Sequence, residues 1–249
     1  MDQIAIISDI HGNLPALEVT LADIRQRNIH TIYCLGDLVG KGPDSAKAVD
    51  ICRAVCHTVV KGNWDDKIPE PGGSYARRWH QEQLGVARLD YLRGLPNTID
   101  FQLSGKRVRL FHASAQSEHH RVGFWHGHEQ LRTMFANTEF TTDAHPAPDV
   151  VGYGDIHHAY LLPVDGKLLF NAGSVGNPMD HMPLAGYAIL KGSLDSTATT
   201  ALTIEIVRLP YDIERAIHEA RRVDMPRLAE YEFELRNANH RSHMHGAKG

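Results

Sequence analysis

Hydrophobic positions along the chain follow two rhythms. Residues 4–7 (Ile-Ala-Ile-Ile) form a short unbroken apolar run, the pattern of a strand covered on both faces. The run leads into Ser-Asp9-Ile-His11-Gly-Asn13. If strand geometry persists, Asp9 and His11 project to the same side, and Gly12 then lets the backbone turn. Leu14, Leu17, Leu21 and Ile24 recur at helical spacing, with Asn13 as N-cap and Pro15 in the first turn. A second strand over 31–35 ends in Gly36-Asp37, and a helix over 45–53 leads to a third strand over 56–60. That strand ends in Gly62-Asn63-Trp64-Asp65. The β-α-β-α-β alternation predicts a parallel sheet with right-handed crossovers. Asp9, His11, Asp37 and Asn63 then converge on one edge, where open α/β sheets hold their ligands.

Residues 67–96 interrupt this order. Pro69, Pro71, Gly72 and Gly73 mark a loop, and 76–93 is helical, closed by Gly94-Leu95-Pro96. The segment lies between two site-bearing stretches, which leaves two readings: a cap over the site mouth, or a helix pair packed on the sheet. Strands over 98–103 and 107–111 form a hairpin through Ser104-Gly105, and the second ends in His112. A polar loop (113–128), a short helix (129–136) and a Thr/Pro-rich linker precede a strand over 150–153, which ends in Gly154-Asp155-Ile-His157. A hairpin around Asp165-Gly166 joins 161–163 to 167–170. The turn-rich stretch 171–178 could cradle phosphate through Gly173 and Gly176, but a tight turn is the preferred reading. Strands over 187–190 and 202–208 are expected to complete a second, antiparallel sheet. Helices follow over 212–220, with Ile213, Ala216, Ile217 and Ala220 on one face, and over 226–236. A single domain over 1–239 and a disordered His-rich tail over 240–249 are expected.

Composition narrows the class. Hydrophobic content of 42%, charged content of 22% and a formal charge of −4 suit a globular protein without a dedicated nucleic-acid surface. Three cysteines, Cys34, Cys52 and Cys56, lack metal-type spacing and suit a reducing compartment. No apolar run is long enough to span a bilayer, and no secretory leader opens the chain, so a cytoplasmic location is expected. The 17 histidines point instead towards metal chemistry.

Asp9, His11, Asp37, Asn63, His112, Asp155 and His157 are oxygen or imidazole donors at strand ends. One ion would be served by about four such groups; a set this size fits two adjacent ions sharing a carboxylate. The donor types favour Mn, Fe, Zn or Co over Ca or Mg. Two ions about 3.5–4 Å apart can hold a bridging hydroxide and clamp both sides of an in-line displacement at phosphorus.

The succession D-x-H, GD, GN, a lone His and G-D-x-H resembles the calcineurin-like metallophosphoesterase superfamily, nearest to its small bacterial and archaeal phosphodiesterase branch. The resemblance implies a four-layer α/β/β/α sandwich, here with a helical insertion and C-terminal helices. It also implies Asp9, His11 and His157 on a first metal, a bridging Asp37, and Asn63 and His112 on a second. Asp65 resembles an acidic residue that orients other site groups. The sequence departs from the family at Asp155, which stands where a His ligand is usual. It departs also at Trp64, where the protein phosphatases of the superfamily carry a His assigned as general acid or phosphate contact, a His that the small phosphodiesterase branch also lacks. His80, His119, His120, His126 and His128 are the candidate substitutes, and Asp155 or a neighbour such as His158 would complete the second site.

The expected activity is hydrolysis of a small-molecule phosphodiester or nucleotide phosphoanhydride by a metal-bridging hydroxide, with Mn or Fe favoured and Asp37, Asn63, Asp65 and His112 in catalytic roles. Phosphomonoesters or phosphoproteins are alternative substrates. The rival reading is a non-catalytic binding protein on the same fold, as in the retromer scaffold subunit.

Overall fold

The computed structural model describes residues 1–142 and 146–244. The first half builds as its pattern predicts. β1 (Asp2–Ile7), β2 (Thr31–Cys34) and β3 (Thr58–Val59) run parallel, joined by α1 (Leu14–Gln26) and α2 (Ser45–Val55). Asn13 caps α1, its side chain accepting from Ala16 N, and Pro15 occupies the first turn. Side chains of β1 alternate: Ala5 and Ile7 pack under the helices, whereas Ile4 and Ile6 face a second sheet.

A short helix α3 (Asn63–Lys67) opens at the end of β3, and α4 (Tyr75–Arg93) follows. The expected single helix is broken at Gly85, whose φ of +67° lies in the left-handed region and interrupts the helical path. The second sheet contains β4 (Thr98–Leu103), β5 (Lys106–Phe111), β6 (Val150–Tyr153), β7 (Tyr160–Val164) and β8 (Lys167–Asn171), in the order β4-β5-β6-β8-β7. Its three central strands are parallel, and both predicted hairpins form. α5 (His128–Arg132) and a 3-10 turn (Thr133–Phe135) cover its outer face.

The last two strands, β9 (Ala185–Gly192) and β10 (Thr203–Leu209), correct the expected sheet assignment. They extend the first sheet, with β9 antiparallel to β1, giving the order β10-β9-β1-β2-β3. The pattern of β9 explains the choice: six consecutive buried residues require cover on both faces, which a place beside the central β1 supplies. Two five-stranded sheets thus enclose an apolar layer built on Ile4, Ile6, Val108, Leu110, Phe170 and Leu190, with helices outside: the α/β/β/α sandwich.

α6 (Ile213–Arg222) and α7 (Leu228–Asn237) close the chain around Ile217, Met225, Tyr231 and Leu235, against which Trp79 of α4 packs. The expected disordered tail differs over its described part. Arg241–His243 form a 3-10 turn, and Arg241 pairs with the buried Glu234 at 2.6 Å. Residues 245–249 lie outside the described residues. Among the described residues no helix is long and apolar enough to cross a membrane, and the three cysteines are free.

Candidate metal centre

The parallel strands of both sheets deliver their C-terminal ends to one place. Asp9 and His11 follow β1, Asp37 follows β2, Asn63 follows β3, His112 follows β5, and Asp155 and His157 follow β6. All but the half-buried Asn63 are at most 3% exposed. The side chains do not converge by strand alternation, however. Asp9, His11, Asp37, Asp155 and His157 have φ of +55°, +49°, +54°, +60° and +59°. These left-handed residues turn the chain at the strand ends, and Asp, Asn and His are the non-glycine residues that best tolerate that conformation. The motif glycines serve close approach: a Cβ on Gly62 would lie 2.2 Å from Asp37 Oδ1, and one on Gly154 would lie 2.0 Å from Ser8 Oγ.

Each imidazole is aimed by its Nδ1. His112 Nδ1 lies 2.7 Å from Leu35 O, His11 Nδ1 lies 3.0 Å from Val39 O, and His157 Nδ1 contacts Asn177 O. With Nδ1–H donating to a carbonyl, Nε2 is left with its lone pair facing inward, the usual arrangement for a metal-ligating His. His157 Nε2 is 3.2 Å from Asp9 Oδ1 and 3.3 Å from His11 Nε2. Asp37 faces both sides: Oδ2 is 3.5 Å from His11 Nε2 and Oδ1 is 3.5 Å from His112 Nε2. Two donor groups of metal-binding size result, Asp9–His11–His157 and Asp9–Asp37–His112. The buried Asp9 Oδ1 and His112 Nε2 have no hydrogen-bond partner. Orphaned buried polar atoms facing a shared space are costly unless a cation completes them.

The electrostatics agree. Burial alone would depress the His112 imidazolium, but Asp37, Asp9 and Asp155 hold its pKa up at about 9, so an ion taking the Nε2 lone pair would displace a proton from it. Burial pushes the Asp37 carboxyl well above the usual range against the pull of His112. Asp9 is also opposed by burial, yet His157 and the other imidazoles hold it below that range. The centre gathers negative charge that positive charge must balance.

Asp65 is buried and reaches the centre only through the backbone. Its carboxylate accepts from Asp37 N (2.7 Å), Leu38 N (3.0 Å) and Gly62 N (3.0 Å), tying the Asp37 turn to the Gly62 turn. Asp155 does lie at the centre, with Oδ1 3.9 Å from His112 Nε2. Both its oxygens are engaged by the Arg121 guanidinium, at 2.7 and 2.8 Å, and Oδ1 also accepts from the Asn63 amide at 3.1 Å. Arg121 had no sequence signal beyond being a cation in the polar loop. Lys41 is a second unforeseen residue, hydrogen-bonded to Asn177 and 3.7 Å from Glu234 of α7.

A cavity of about 370 Å³ lies over the centre, lined among others by Asp37, Asn63, Arg121, Asp155 and His157. None of its lining residues comes from 67–96; the rim is completed instead by Arg227, His240 and Arg241 from the C-terminal region. Gly73, Arg77 and His80 line an adjoining cavity, while Tyr91 packs beneath Arg53. His80, His119, His120, His126 and His128 do not line the cavity over the centre, and His158 packs against Phe124 and Trp125. The 171–178 turn spends its N–H groups internally: Val175 N and Gly176 N donate to Ser8 O and Asp9 O, bracing the Asp9 backbone.

A two-sheet sandwich flanked by helices, with carboxylates and imidazoles at the meeting strand ends, defines the metallophosphoesterase class of fold. The chain belongs to the calcineurin-like phosphoesterase superfamily, whose domain profile matches residues 3–194. It is 30% identical over 236 residues to the uncharacterized protein MJ0912 of Methanocaldococcus jannaschii, covering 86% of this chain and 89% of that one. It is 28% identical over 207 residues to the phosphodiesterase YfcE of Escherichia coli, covering 76% and 88%. The crystal structure of a metallophosphoesterase from Sphaerobacter thermophilus superposes with a TM-score of 0.75 at 25% identity, over 95% of this chain and 99% of that one.

Proposed function

We propose that the protein is a phosphoesterase that uses two adjacent divalent metal ions, Mn or Fe by preference and otherwise Zn or Co, to hydrolyse a small phosphodiester or phosphoanhydride. The observation that carries the reading is Asp37, whose two oxygens face His11 and His112 at 3.5 Å each, beside the orphaned Asp9 Oδ1 and His112 Nε2. Asp9, His11 and His157 would hold one ion, His112 and Asn63 the other, and Asp37 both. The bound ions supply Lewis acidity and a water acidified enough to attack phosphorus at neutral pH. The protein contributes fixed Nε2 lone pairs, a buried surrounding that strengthens charge interactions, and an open cavity over the centre.

One observation favours a second reading, a binding protein with this fold that has lost catalysis: Arg121 and Asn63 take up the Asp155 carboxylate that would complete the second site. Metal analysis of the purified protein and its activity on bis(p-nitrophenyl) phosphate with added Mn separate the two. About two metal equivalents and metal-dependent release of nitrophenol are expected. A metal-loaded protein with no turnover above background would favour the binding reading, and a protein that binds no transition metal would overturn the two-metal reading.

A further inference from the structure

Next to the metal centre opens a larger cavity, of about 550 Å³, within the range of small-molecule sites. It is lined by the cations Lys41, Lys67, Arg77, Arg227 and Arg241, together with Trp64, Tyr231 and several apolar side chains, and by no Asp or Glu. The two cavities share Lys41, Asn63, Trp64, Arg227 and Arg241, so one runs into the other. Their linings differ in the balance of charge. The cavity over the centre carries Asp37 and Asp155 beside Lys41, Arg121, Arg227 and Arg241, whereas its neighbour has cations and no carboxylate.

Much of that charge is not spent within the protein. Lys41 and Arg241 both lean on Glu234, at 3.7 and 2.6 Å. Lys67 and Arg227 have no ion pair among the described residues. Arg77 donates to the backbone carbonyl of Glu70, and its buried Nε has no partner. Tyr231, 2% exposed, also lines the cavity, and its buried hydroxyl has no hydrogen-bond partner. Unsatisfied donors and uncompensated cations around one space point to an anionic occupant. The shared lining residues put such an anion beside the space over the metal centre.

Resting on the phosphoesterase reading, we propose that the substrate is a phosphoanhydride and that this cavity receives its leaving phosphate. Water oxygen forms a bond to the phosphorus at the centre, the bond from that phosphorus to the bridging oxygen breaks, and the electron pair departs on the leaving phosphate. The attacking water gives up its proton to solvent. An alkoxide leaving group needs a proton in the transition state, whereas a phosphate departs as a stable anion and needs only positive charge to meet it. None of the five candidate histidines lines the cavity over the centre, and His80 and His119 line only its neighbour. The cations supply the positive charge that meets the departing phosphate.

The test has a binding arm and a kinetic arm. The metal-free protein in EDTA is titrated calorimetrically with inorganic tripolyphosphate, alongside the Lys67→Gln/Arg77→Gln/Arg227→Gln triple variant and the Lys67→Gln single variant. Lys67 and Arg227 are exposed and Arg77 half-buried, and folding of each variant is checked by circular dichroism. We expect the wild type to bind and the triple variant to bind at least tenfold more weakly. In the kinetic arm, the ratio of kcat/KM for a nucleoside triphosphate to that for bis(p-nitrophenyl) phosphate should fall at least tenfold in the triple variant. Undetectable tripolyphosphate binding by the wild type, or equal binding by the folded variants, overturns the proposal. An unchanged ratio does so as well. Failure of the Mn-loaded protein to hydrolyse either substrate refutes the phosphoesterase reading instead, and the binding arm still decides whether the cavity takes polyphosphate.

Discussion

Asp65→Ala should damage the metal centre without removing a ligand. The Asp65 carboxylate is the common acceptor for the N–H groups of Gly62, Asp37 and Leu38 at 2.7–3.0 Å. Alanine leaves these buried donors without a partner, at about 1–3 kcal/mol each, or about 6 kcal/mol together. Part is returned, because burial pushes the Asp65 carboxyl up to about 6 despite those donors, so its ionised form is held at a cost of about 3 kcal/mol at neutral pH. The net loss is about 3 kcal/mol, which for a chain of this size lowers Tm by about 6–12 °C. Because Asp65 positions the turn that carries Asp37, Mn affinity should also fall by about 10–100-fold, as for other groups that orient metal ligands. Thermal melts in EDTA and calorimetric Mn titrations read the two effects separately. A variant within 1 kcal/mol of wild type that binds Mn with unaltered affinity would refute the reasoning. It would show that the Asp37 and Gly62 turns are held by packing alone.

Other substitutions probe the remaining parts. Asp37→Asn removes the charge shared between the donor groups; it should abolish turnover of bis(p-nitrophenyl) phosphate while leaving the circular dichroism spectrum unchanged, and wild-type rates at unchanged metal content would refute the two-ion assignment. Arg121→Ala frees the Asp155 carboxylate, so Mn affinity of the weaker site should rise about tenfold; an identical titration would show that Asp155 does not contribute to ion binding. His80 is buried against Ser45, and burial lowers its pKa to about 4, so the folded state resists its protonation. The unfolded chain binds that proton first, so stability is lost as pH falls from 6.5 towards 4, by about 3 kcal/mol. His80→Gln should reduce the acid-induced loss by that amount in urea melts at pH 7 and pH 4.5, and parallel losses in the two proteins would contradict the assignment.

The convergence of ligands was legible because it follows from topology. Parallel strands linked by helices place their C-terminal ends together, and Asp9, His11, Asp37, Asn63, His112 and His157 each sit just past such an end. The backbone route was not legible. Two-residue spacing suggests strand alternation for Asp9 and His11, but β1 stops at Ile7 and left-handed turns aim both side chains. β9 and β10 were misplaced because an apolar strand pattern states how many faces are covered, not which neighbour covers them. The partner of Asp155 was hidden for a related reason: Arg121 lies 34 residues away in a loop without periodicity. The rim role of Arg241 was equally hidden, since it depends on a buried Glu234 that the helical pattern of α7 marks as unusual but does not explain.

The donors are divided between the sheets. Asp9, His11, Asp37 and Asn63 belong to strands of one sheet, and His112, Asp155 and His157 to strands of the other. Between them lies an apolar layer, whose contacts have no direction, while hydrogen bonds such as His112 Nδ1–H to Leu35 O and Asp155 N to Asp9 Oδ2 cross at the rim and backbone bonds of Ser104 and Asp195 tie the far edge. An ion gripping both rims would act as a rivet through the seam, binding only when residues as distant in sequence as 9 and 157 are already in register. Loading would then stabilise the assembled state by mass action. Removing the ion should loosen the rims first and leave the middle of each sheet intact. In hydrogen exchange, the amides around residues 9–12, 36–38 and 154–157 would open well before those of the strand centres.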